Sequence, residues 1–186
     1  MKNVRSNKML ILWSFAALVV LIAGFFSFFY RDPERIPPSG DIILCPADGL
    51  VIDVSQEDGW EKIAIFMSPL NVHVQWVPYN GKVISVERVK GEAKPGFQKS
   101  AAKNCQVITV LDTKMGKVLV KQIVGIFVRR IITFFKVGDE LRVGQRFGRI
   151  AFGSRVELWL PADRVEVKVK KWQNVLAGVT IAAVPK

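Results

Sequence analysis

The dipeptide Gly153-Ser154 has the residue types that a self-cleaving bond requires, and it lies between two runs of β-forming residues. Glycine has no Cβ to obstruct an approaching hydroxyl, and it tolerates the strained backbone of a tight turn. In this interpretation Ser154 attacks the carbonyl carbon of Gly153, the peptide becomes an ester, and β-elimination cuts the chain. The alternative is an ordinary turn before a strand, since a Gly-Ser pair also arises by chance.

A cut at this position would give the protein a cofactor made from its own chain. The serine remnant would lose ammonia and become an N-terminal pyruvoyl group. The ketone of that group would withdraw electrons from a bound substrate, as pyridoxal phosphate does in other enzymes. No external cofactor would then be needed.

Other segments offer side chains for such chemistry. Asp48 stands in the tight turn PADG, and His73, the only histidine, ends the segment SPLNVH. Turns of this kind present polar side chains, and histidine is the side chain whose unperturbed pKa lies near neutrality. Arg129 and Arg130 follow the segment QIVG. The alternatives are a turn-forming carboxylate, a structural histidine and a solvated pair of arginines.

Composition narrows the class of protein. Twenty-seven basic and sixteen acidic residues give a formal charge of +11, which indicates an anionic partner such as a nucleic acid or a membrane surface. Nucleic acid is disfavoured, because the basic residues are scattered and no recognition motif is visible. A single histidine argues against a histidine-rich metal centre, so no metal is predicted. Cys45 and Cys105 lack CxxC spacing, which predicts reduced thiols.

The N-terminal residues 1–30 are predicted to be a membrane anchor. Residues 9–30 are apolar and uncharged, and about 20 such residues cross the hydrocarbon layer. A signal peptide fits less well, because aromatic residues occupy the place of a small-residue cleavage site. Lys2, Arg5 and Lys8 favour a cytoplasmic N-terminus, but the basic body leaves a spanning helix and a re-entrant anchor both open.

After a proline-rich link at residues 31–40, one mainly β domain is predicted over residues 41–186. Short β-branched runs separated by turns are typical of a β-sandwich or a flattened barrel. The predicted strands are residues 50–54, 62–67, 72–77, 82–89, 107–111, 117–123, 127–135, 148–152, 156–160 and 165–169. Residues 92–104 form the longest unpatterned loop, which is either a solvated turn region or a basic lip that touches lipid headgroups or covers the site.

A rival class comes from residues 137–145, VGDELRVGQ. This strand-turn-strand pattern is similar to that of biotinyl and lipoyl carrier domains and of membrane adaptors. A carrier domain needs a lysine at the tip of a hairpin, and no such hairpin stands out. A non-enzymatic membrane-anchored β-domain is therefore the alternative hypothesis, in which Ser154 has no chemical role.

Five ordered motifs resemble those of the short bacterial and archaeal type of phosphatidylserine decarboxylase. They extend over nearly the whole chain from Phe29 onward. The motifs are FYRDPER (29–35), PADG (46–49), SPLNVH (68–73), QIVG (122–125) with RRI (129–131), and FGSR (152–155).

The resemblance implies a membrane-associated precursor that cuts itself between residues 153 and 154. The products would be a β chain, residues 1–153, and an α chain, residues 154–186, whose first residue is the pyruvoyl group. The implied reaction decarboxylates phosphatidylserine to phosphatidylethanolamine and CO2 through a Schiff base with that group, in phospholipid biosynthesis. An ether-linked archaetidylserine presents the same headgroup and stays open as the substrate.

The resemblance also implies roles for single residues. Ser154 would be the pyruvoyl precursor and Gly153 the residue before the cut. Asp48 would take part in self-processing as the partner of a histidine, and His73 would carry the proton during decarboxylation. Arg129, Arg130 and Arg155 are candidates for binding the carboxylate and phosphate of the lipid. The substrate would lie in an anionic membrane, with the catalytic domain on the cytoplasmic face of the cell membrane. The oligomeric state is left open.

The chain departs from the family pattern at two positions. The longer bacterial enzymes carry a second histidine three residues after the first, and this sequence has Trp76 there. Short members usually carry arginine at that position. Asn71 stands where the family often has aspartate. What activates Ser154 is therefore open between His73 and Asp48 acting through water.

Overall fold

The computed structural model describes residues 2–126, 130–150 and 153–186, and for residues 2–6 and Lys99 it describes the backbone only. The chain divides into two compact units, Met1–Asp32 and Pro33–Lys186. The predicted link therefore contributes its residues from Pro33 onward to the second unit.

The first unit contains one helix, α1 (Lys2–Phe29). Its segment Asn7–Phe29 has a mean hydropathy of 2.6 and is long and apolar enough to cross a membrane. At about 1.5 Å per residue it spans roughly 35 Å, slightly more than the hydrocarbon core of a bilayer. The helix ends shortly before Pro33, because a proline disfavours helical backbone at the residue that precedes it. The predicted apolar helix is thus confirmed.

The second unit is built from strands and one short 3-10 helix, Lys99–Lys103. The strands are β1 (Ile43–Leu44), β2 (Gly49–Glu57), β3 (Trp60–Phe66), β4 (Val74–Trp76), β5 (Gly81–Val89), β6 (Gln106–Thr113), β7 (Gly116–Ile123), β8 (Ile131–Thr133), β9 (Glu140–Leu141), β10 (Arg146–Ile150), β11 (Arg155–Pro161), β12 (Val165–Val167), β13 (Asn174–Val175) and β14 (Ile181–Pro185). The mainly β fold predicted from the sequence is confirmed.

Eight strands form one antiparallel sheet in the order β13-β2-β3-β11-β7-β6-β5-β9, which curls into a half-barrel. Strand β11 lies in its interior, where Val156 pairs with Ile65 of β3 and Gln122 of β7. Val156, Leu158 and Leu160 belong to the main hydrophobic core. Because side chains alternate along a strand, Arg155 and Glu157 face the other side of the sheet. The chain that follows Ser154 is therefore held by two neighbours from its first residue.

Two three-stranded sheets complete the unit, in the orders β4-β10-β8 and β1-β14-β12. Strand β10 ends at Ile150, shortly before the Gly153-Ser154 dipeptide, and β4 begins directly after His73. The pairing of β10 with β4, with Arg149 opposite Val74, therefore fixes the distance between the two segments. The small sheet brings the candidate nucleophile and the only histidine to the same region.

Most predicted strands are present, although their first and last residues differ from the prediction. The larger differences between predicted and observed strands occur at short strands. The predicted strand at 127–135 is reduced to β8, and its residues 127–129 lie outside the described part of the chain. The predicted strand at 148–152 corresponds to β10, and residues 151–152 are likewise outside the described residues. Strands β1, β9 and β13 have two residues each, too few for a periodic pattern.

Both cysteines are free, as predicted. Cys45 is fully buried in the main core. Burial raises the pKa of its thiol to about 12, because the thiolate would lose its hydration. Cys45 therefore packs in the core as a small apolar side chain.

Candidate active site

The Gly153-Ser154 turn connects β10 to β11 and presents its hydroxyl to the protein interior. Gly153 has φ of 65°, in the left-handed region that favours glycine. Ser154 is fully buried, and its Oγ donates to the sulfur of Met67 at 3.6 Å. Its carbonyl oxygen accepts the backbone N–H of Met67 at 2.8 Å. A thioether is a weak acceptor, so the hydroxyl keeps most of its capacity to bond elsewhere.

His73 is positioned by the turn that follows β3. The side-chain oxygen of Asn71 accepts both the backbone N–H and the hydroxyl of Ser68, each at 2.8 Å. The carbonyl oxygen of Asn71 then lies 2.9 Å from Nδ1 of His73. Because a carbonyl can only accept, this bond assigns the proton of the neutral ring to Nδ1, and Nε2 becomes the basic nitrogen. His73 is almost fully buried.

Two buried glutamines connect the histidine segment to the neighbourhood of Ser154. Gln75 Nε2 donates to the carbonyl oxygen of His73 at 2.7 Å and lies 3.7 Å from the sulfur of Met67. Its Oε1 accepts from Nε2 of Gln122 at 3.0 Å. Both amides are fully buried, so the Met67 sulfur contacts the candidate nucleophile on one side and a polar network on the other.

Sequence reasoning did not identify Met67 or Gln75. Gln122 appears in a motif but received no role. A polar residue at a core-facing position of a strand could have indicated them. That pattern, however, is recognised only when the burial of each position is known. Buried amides need hydrogen-bond partners, and here the amide of Gln122 donates to that of Gln75.

Asp48 is held in a buried ion pair with Arg35. Its two carboxylate oxygens lie 2.5 and 2.8 Å from the guanidinium of Arg35. It also accepts the backbone N–H of Ala177 at 2.8 Å, and Arg35 donates to the carbonyl of Ala177 at 2.6 Å. Arg35 stands in the first motif, but its partner could not be predicted from the sequence.

The two described arginine candidates, Arg155 and Arg130, differ in exposure. Arg155 is buried, forms an ion pair with Glu157, and lines a groove of about 740 Å³ together with Phe66 and Phe97. Arg130 is exposed. Arg129 lies outside the described residues. Of the three candidates, Arg155 directly follows the Gly153-Ser154 turn, as the first residue of β11.

Comparison with known proteins identifies the family of the chain. The profile of the phosphatidylserine decarboxylase family matches residues 22–183. The chain belongs to the phosphatidylserine decarboxylase family. Membership in an enzyme family does not favour the adaptor or carrier alternative.

Individual relatives come from bacteria and archaea. The chain is 45% identical over 153 residues to the phosphatidylserine decarboxylase proenzyme of Streptomyces coelicolor, an alignment that includes 82% of this chain and 69% of the relative. It is 44% identical over 166 residues to that of Thermobifida fusca, with 89% and 76% of the two chains aligned. It is 43% identical over 159 residues to a Methanosarcina mazei protein provisionally named an archaetidylserine decarboxylase proenzyme, with 85% and 74% aligned.

The departure of this phosphatidylserine decarboxylase family member at residue 76 has a local explanation. The ring of Trp76 lies 5.6 Å from the guanidinium carbon of Arg35 and 5.2 Å from that of Arg146. A cation over an aromatic face is attracted by the negative charge of the ring. Trp76 therefore packs against the arginine that neutralises Asp48.

Removal of the cation from the Asp48 pair tests how much the pair stabilises the fold. The side chains of Arg35 and Asp48 are only 8% and 5% exposed. The variant Arg35→Met is made in the chain that is not cut, on a Ser154→Ala background. It leaves the buried carboxylate of Asp48 without its partner, so the free energy of unfolding should fall by about 3 kcal/mol. The expected fall in Tm is roughly 6–12 °C, measured by thermal unfolding in detergent.

Lys114→Met is the matched control for this prediction. It removes an ion pair to Asp41 whose side chains are 64% and 49% exposed. Exposed pairs contribute less than about 1 kcal/mol. Equal losses of Tm in the two variants would contradict the structural role of the Arg35–Asp48 pair.

Proposed function

We propose that the chain is the precursor of a decarboxylase that cuts itself before Ser154 and converts phosphatidylserine to phosphatidylethanolamine and CO2. The observation that carries the proposal is the buried Ser154 hydroxyl, which follows a left-handed glycine and shares Met67 with the His73–Gln75 segment. Family membership supports the same reaction class.

The cut requires a base, an acid and the exclusion of water. In the first step His73 Nε2 takes the Ser154 hydroxyl proton, Oγ bonds to the carbonyl carbon of Gly153, and the peptide C–N bond breaks. The proton goes to the leaving nitrogen, so that an ester replaces the amide. In the second step the Cα proton of residue 154 is removed, the Cβ–Oγ bond breaks, and Gly153 leaves as a carboxylate. Water then hydrolyses the unsaturated residue, and ammonia departs.

His73 is the better candidate for the base than Asp48. Both oxygens of Asp48 are engaged by Arg35, and one also accepts the Ala177 amide. A proton could reach these oxygens only by displacing the guanidinium or the amide that binds them. Asp48 would then act indirectly, by fixing the backbone around Ala177.

The two products of the cut would remain one folded unit. The proposed α chain, residues 154–186, contains β11 to β14. Strand β11 lies between β3 and β7 of the β chain, and β13 and β14 pair with β2 and β1. The contacts of Arg35 and Asp48 with Ala177 would also connect the two chains.

The environment of Ser154 fits a pyruvoyl group, because residue 154 is enclosed and its hydroxyl faces a thioether, with buried amides nearby. The group would supply an electron sink for the electrons released with CO2. His73 would donate a proton to the carbon that lost the carboxylate. Burial would limit access of water to that carbon. Arg155, Arg130 and Arg129 remain the candidates for the anionic groups of the lipid.

The substrate is proposed as a lipid with a phosphoserine headgroup. The relatives include proteins named for phosphatidylserine and for archaetidylserine. The two lipids share the headgroup on which the chemistry acts and differ in the backbone, so archaetidylserine is the alternative substrate. Assays with each lipid in matched vesicles distinguish them.

We propose that the catalytic domain lies on the cytoplasmic face of the cell membrane. The helix α1 can anchor the chain by length and composition. The two free cysteines favour a reducing compartment, and the net charge of +11 favours an anionic lipid surface. Lys2, Arg5 and Lys8 favour the cytoplasm for the N-terminus as well, so a spanning helix and a re-entrant anchor stay the two alternatives for α1.

Intact mass spectrometry of the purified protein tests the proposed cut. We expect two chains that correspond to residues 1–153 and 154–186. The smaller chain should lack a free N-terminal amine and should gain mass with a carbonyl reagent such as phenylhydrazine. Active protein that consists of one unbroken chain would contradict the proposal, as would a cut at another bond.

A further inference from the structure

We propose that residues 92–104 act as a template for the self-cleavage, with Gly96 as the positioning residue that holds the carbonyl group of Gly153. The inference rests on the proposed cut before Ser154. In the sequence, residues 92–104 are predicted to be either a solvated turn region or a basic lip that touches lipid headgroups or covers the site. The proposal gives this loop a role in the self-cleavage.

Gly96 packs directly on the peptide bond between Gly153 and Ser154. A Cβ built on Gly96 would lie 2.5 Å from the carbonyl oxygen of Gly153 and 3.1 Å from the carbonyl carbon of Ser154. These obstacles are backbone atoms, which cannot move aside as a flexible side chain can. Gly96 is not among the glycines with positive φ. Close approach to the bond, rather than conformational freedom, therefore explains the glycine.

The segment is fixed in place by a buried side chain. Asn104 is fully buried, accepts the backbone N–H of Lys94 at 2.9 Å and donates to the carbonyl of Lys94 at 2.7 Å. It also donates to the carbonyl of Val124, just beyond β7, at 2.8 Å. One side chain thus closes the segment on itself and attaches it to the sheet that contains β11.

The segment also contacts the residue that follows the bond. Arg155 Nη1 donates to the carbonyl of Gln98 at 3.3 Å. Phe97 packs edge-on against Phe66 of β3, with ring centroids 5.6 Å apart. In the register of the sheet Phe66 lies opposite Arg155. The segment therefore touches both residues that flank Ser154.

These contacts hold the bond from the side away from the nucleophile. The hydroxyl of Ser154 points to the side chain of Met67. Consecutive residues of an extended chain face opposite sides, so Phe66, on which Phe97 packs, faces away from that hydroxyl. Attack of Oγ on the Gly153 carbonyl carbon requires that the carbonyl does not swing away as the oxygen approaches. Displacement of a reacting group by about 1 Å can cost about 100-fold in rate. Gly96 would prevent such a displacement.

The test is the self-cleavage rate of Gly96→Ala in the full chain. The added methyl group should push the segment or the carbonyl out of position, so the first-order rate of appearance of the two chains should fall at least about 10-fold. Hydroxylamine, which cuts at an ester, should not restore cleavage, because the step that forms the ester is the one impaired. Thermal unfolding is compared on a Ser154→Ala background, in which neither variant is cut.

Gly91→Ala is the matched control. Gly91 directly precedes the segment, and its Cβ would overlap the carbonyl oxygen of Lys103, a backbone clash with the same segment but away from the bond. For the same loss of Tm, we expect Gly96→Ala to slow cleavage much more than Gly91→Ala does. Three results would overturn the inference: a normal rate in Gly96→Ala, equal slowing in both variants in proportion to Tm, or cleavage restored by hydroxylamine. If the unmodified protein is never cut, the proposed function itself is wrong.

Discussion

Ser154→Ala is expected to remain a single chain of 186 residues and to show no decarboxylation. The hydroxyl is the only group in this proposal that can attack Gly153, and without it no ester, no cut and no ketone can form. The loss should reach the detection limit, at least about 10⁴-fold, because both the nucleophile of the cut and the later electron sink disappear. Intact mass and release of CO2 from labelled lipid measure the two effects.

The control for this prediction is a serine that shares the fold but not the site. Ser85 is exposed on β5, and Ser85→Ala should mature and turn over at the normal rate. Ser154→Cys keeps a nucleophile and should give partial cleavage. A cut at the normal position in Ser154→Ala would remove residue 154 from the mechanism.

The elements that could be predicted from the sequence are those whose signal is local. The apolar run that forms α1 needs no partner to be visible, since its length and lack of charge suffice. Strand β11 is marked by alternating Val156, Leu158 and Leu160 and by the turn that precedes it. The ordered motifs likewise identified Ser154 and His73 as candidates before any geometry was known.

The features that the sequence did not reveal depend on residues that are distant in the chain. Asp48 meets Ala177 across 129 positions, and Gln75 meets Gln122 across 47. Residue type alone assigns no partner to a buried carboxylate or amide. The contact of Gly96 with the cleavage bond is similar, because an absent side chain becomes meaningful only when the neighbouring backbone is seen.

Trp76 stands where the longer enzymes have a second histidine, and it contacts the Arg35–Asp48 pair through Arg35. The aromatic ring lies beside Arg35, which is the partner of Asp48. Because Asp48 is paired with Arg35 and Trp76 replaces the second imidazole, His73 is the side chain that we propose for proton transfer. The proton transfers of the cut and of the decarboxylation would then both depend on His73.

His73→Ala should therefore impair maturation and turnover together. General acid–base catalysis by a positioned side chain contributes about 10²- to 10⁴-fold, so the rate of self-cleavage should fall by a factor in that range. Material that matures slowly is then separated from the uncut chain and assayed on vesicles that contain phosphatidylserine. Its turnover per pyruvoyl group, counted with a carbonyl reagent, should fall by a similar factor, because the same ring protonates the product carbon.

Asn71→Asp is the matched variant for this prediction. Aspartate keeps a side-chain oxygen that can accept from Ser68, and the backbone carbonyl that accepts from Nδ1 of His73 is unchanged. Maturation and turnover should stay close to normal, which separates loss of the imidazole from disturbance of the turn. If His73→Ala matures normally but fails to turn over, Asp48 acting through water becomes the better base for the cut, and the shared role of His73 is wrong. Full turnover per pyruvoyl group would exclude His73 from the decarboxylation.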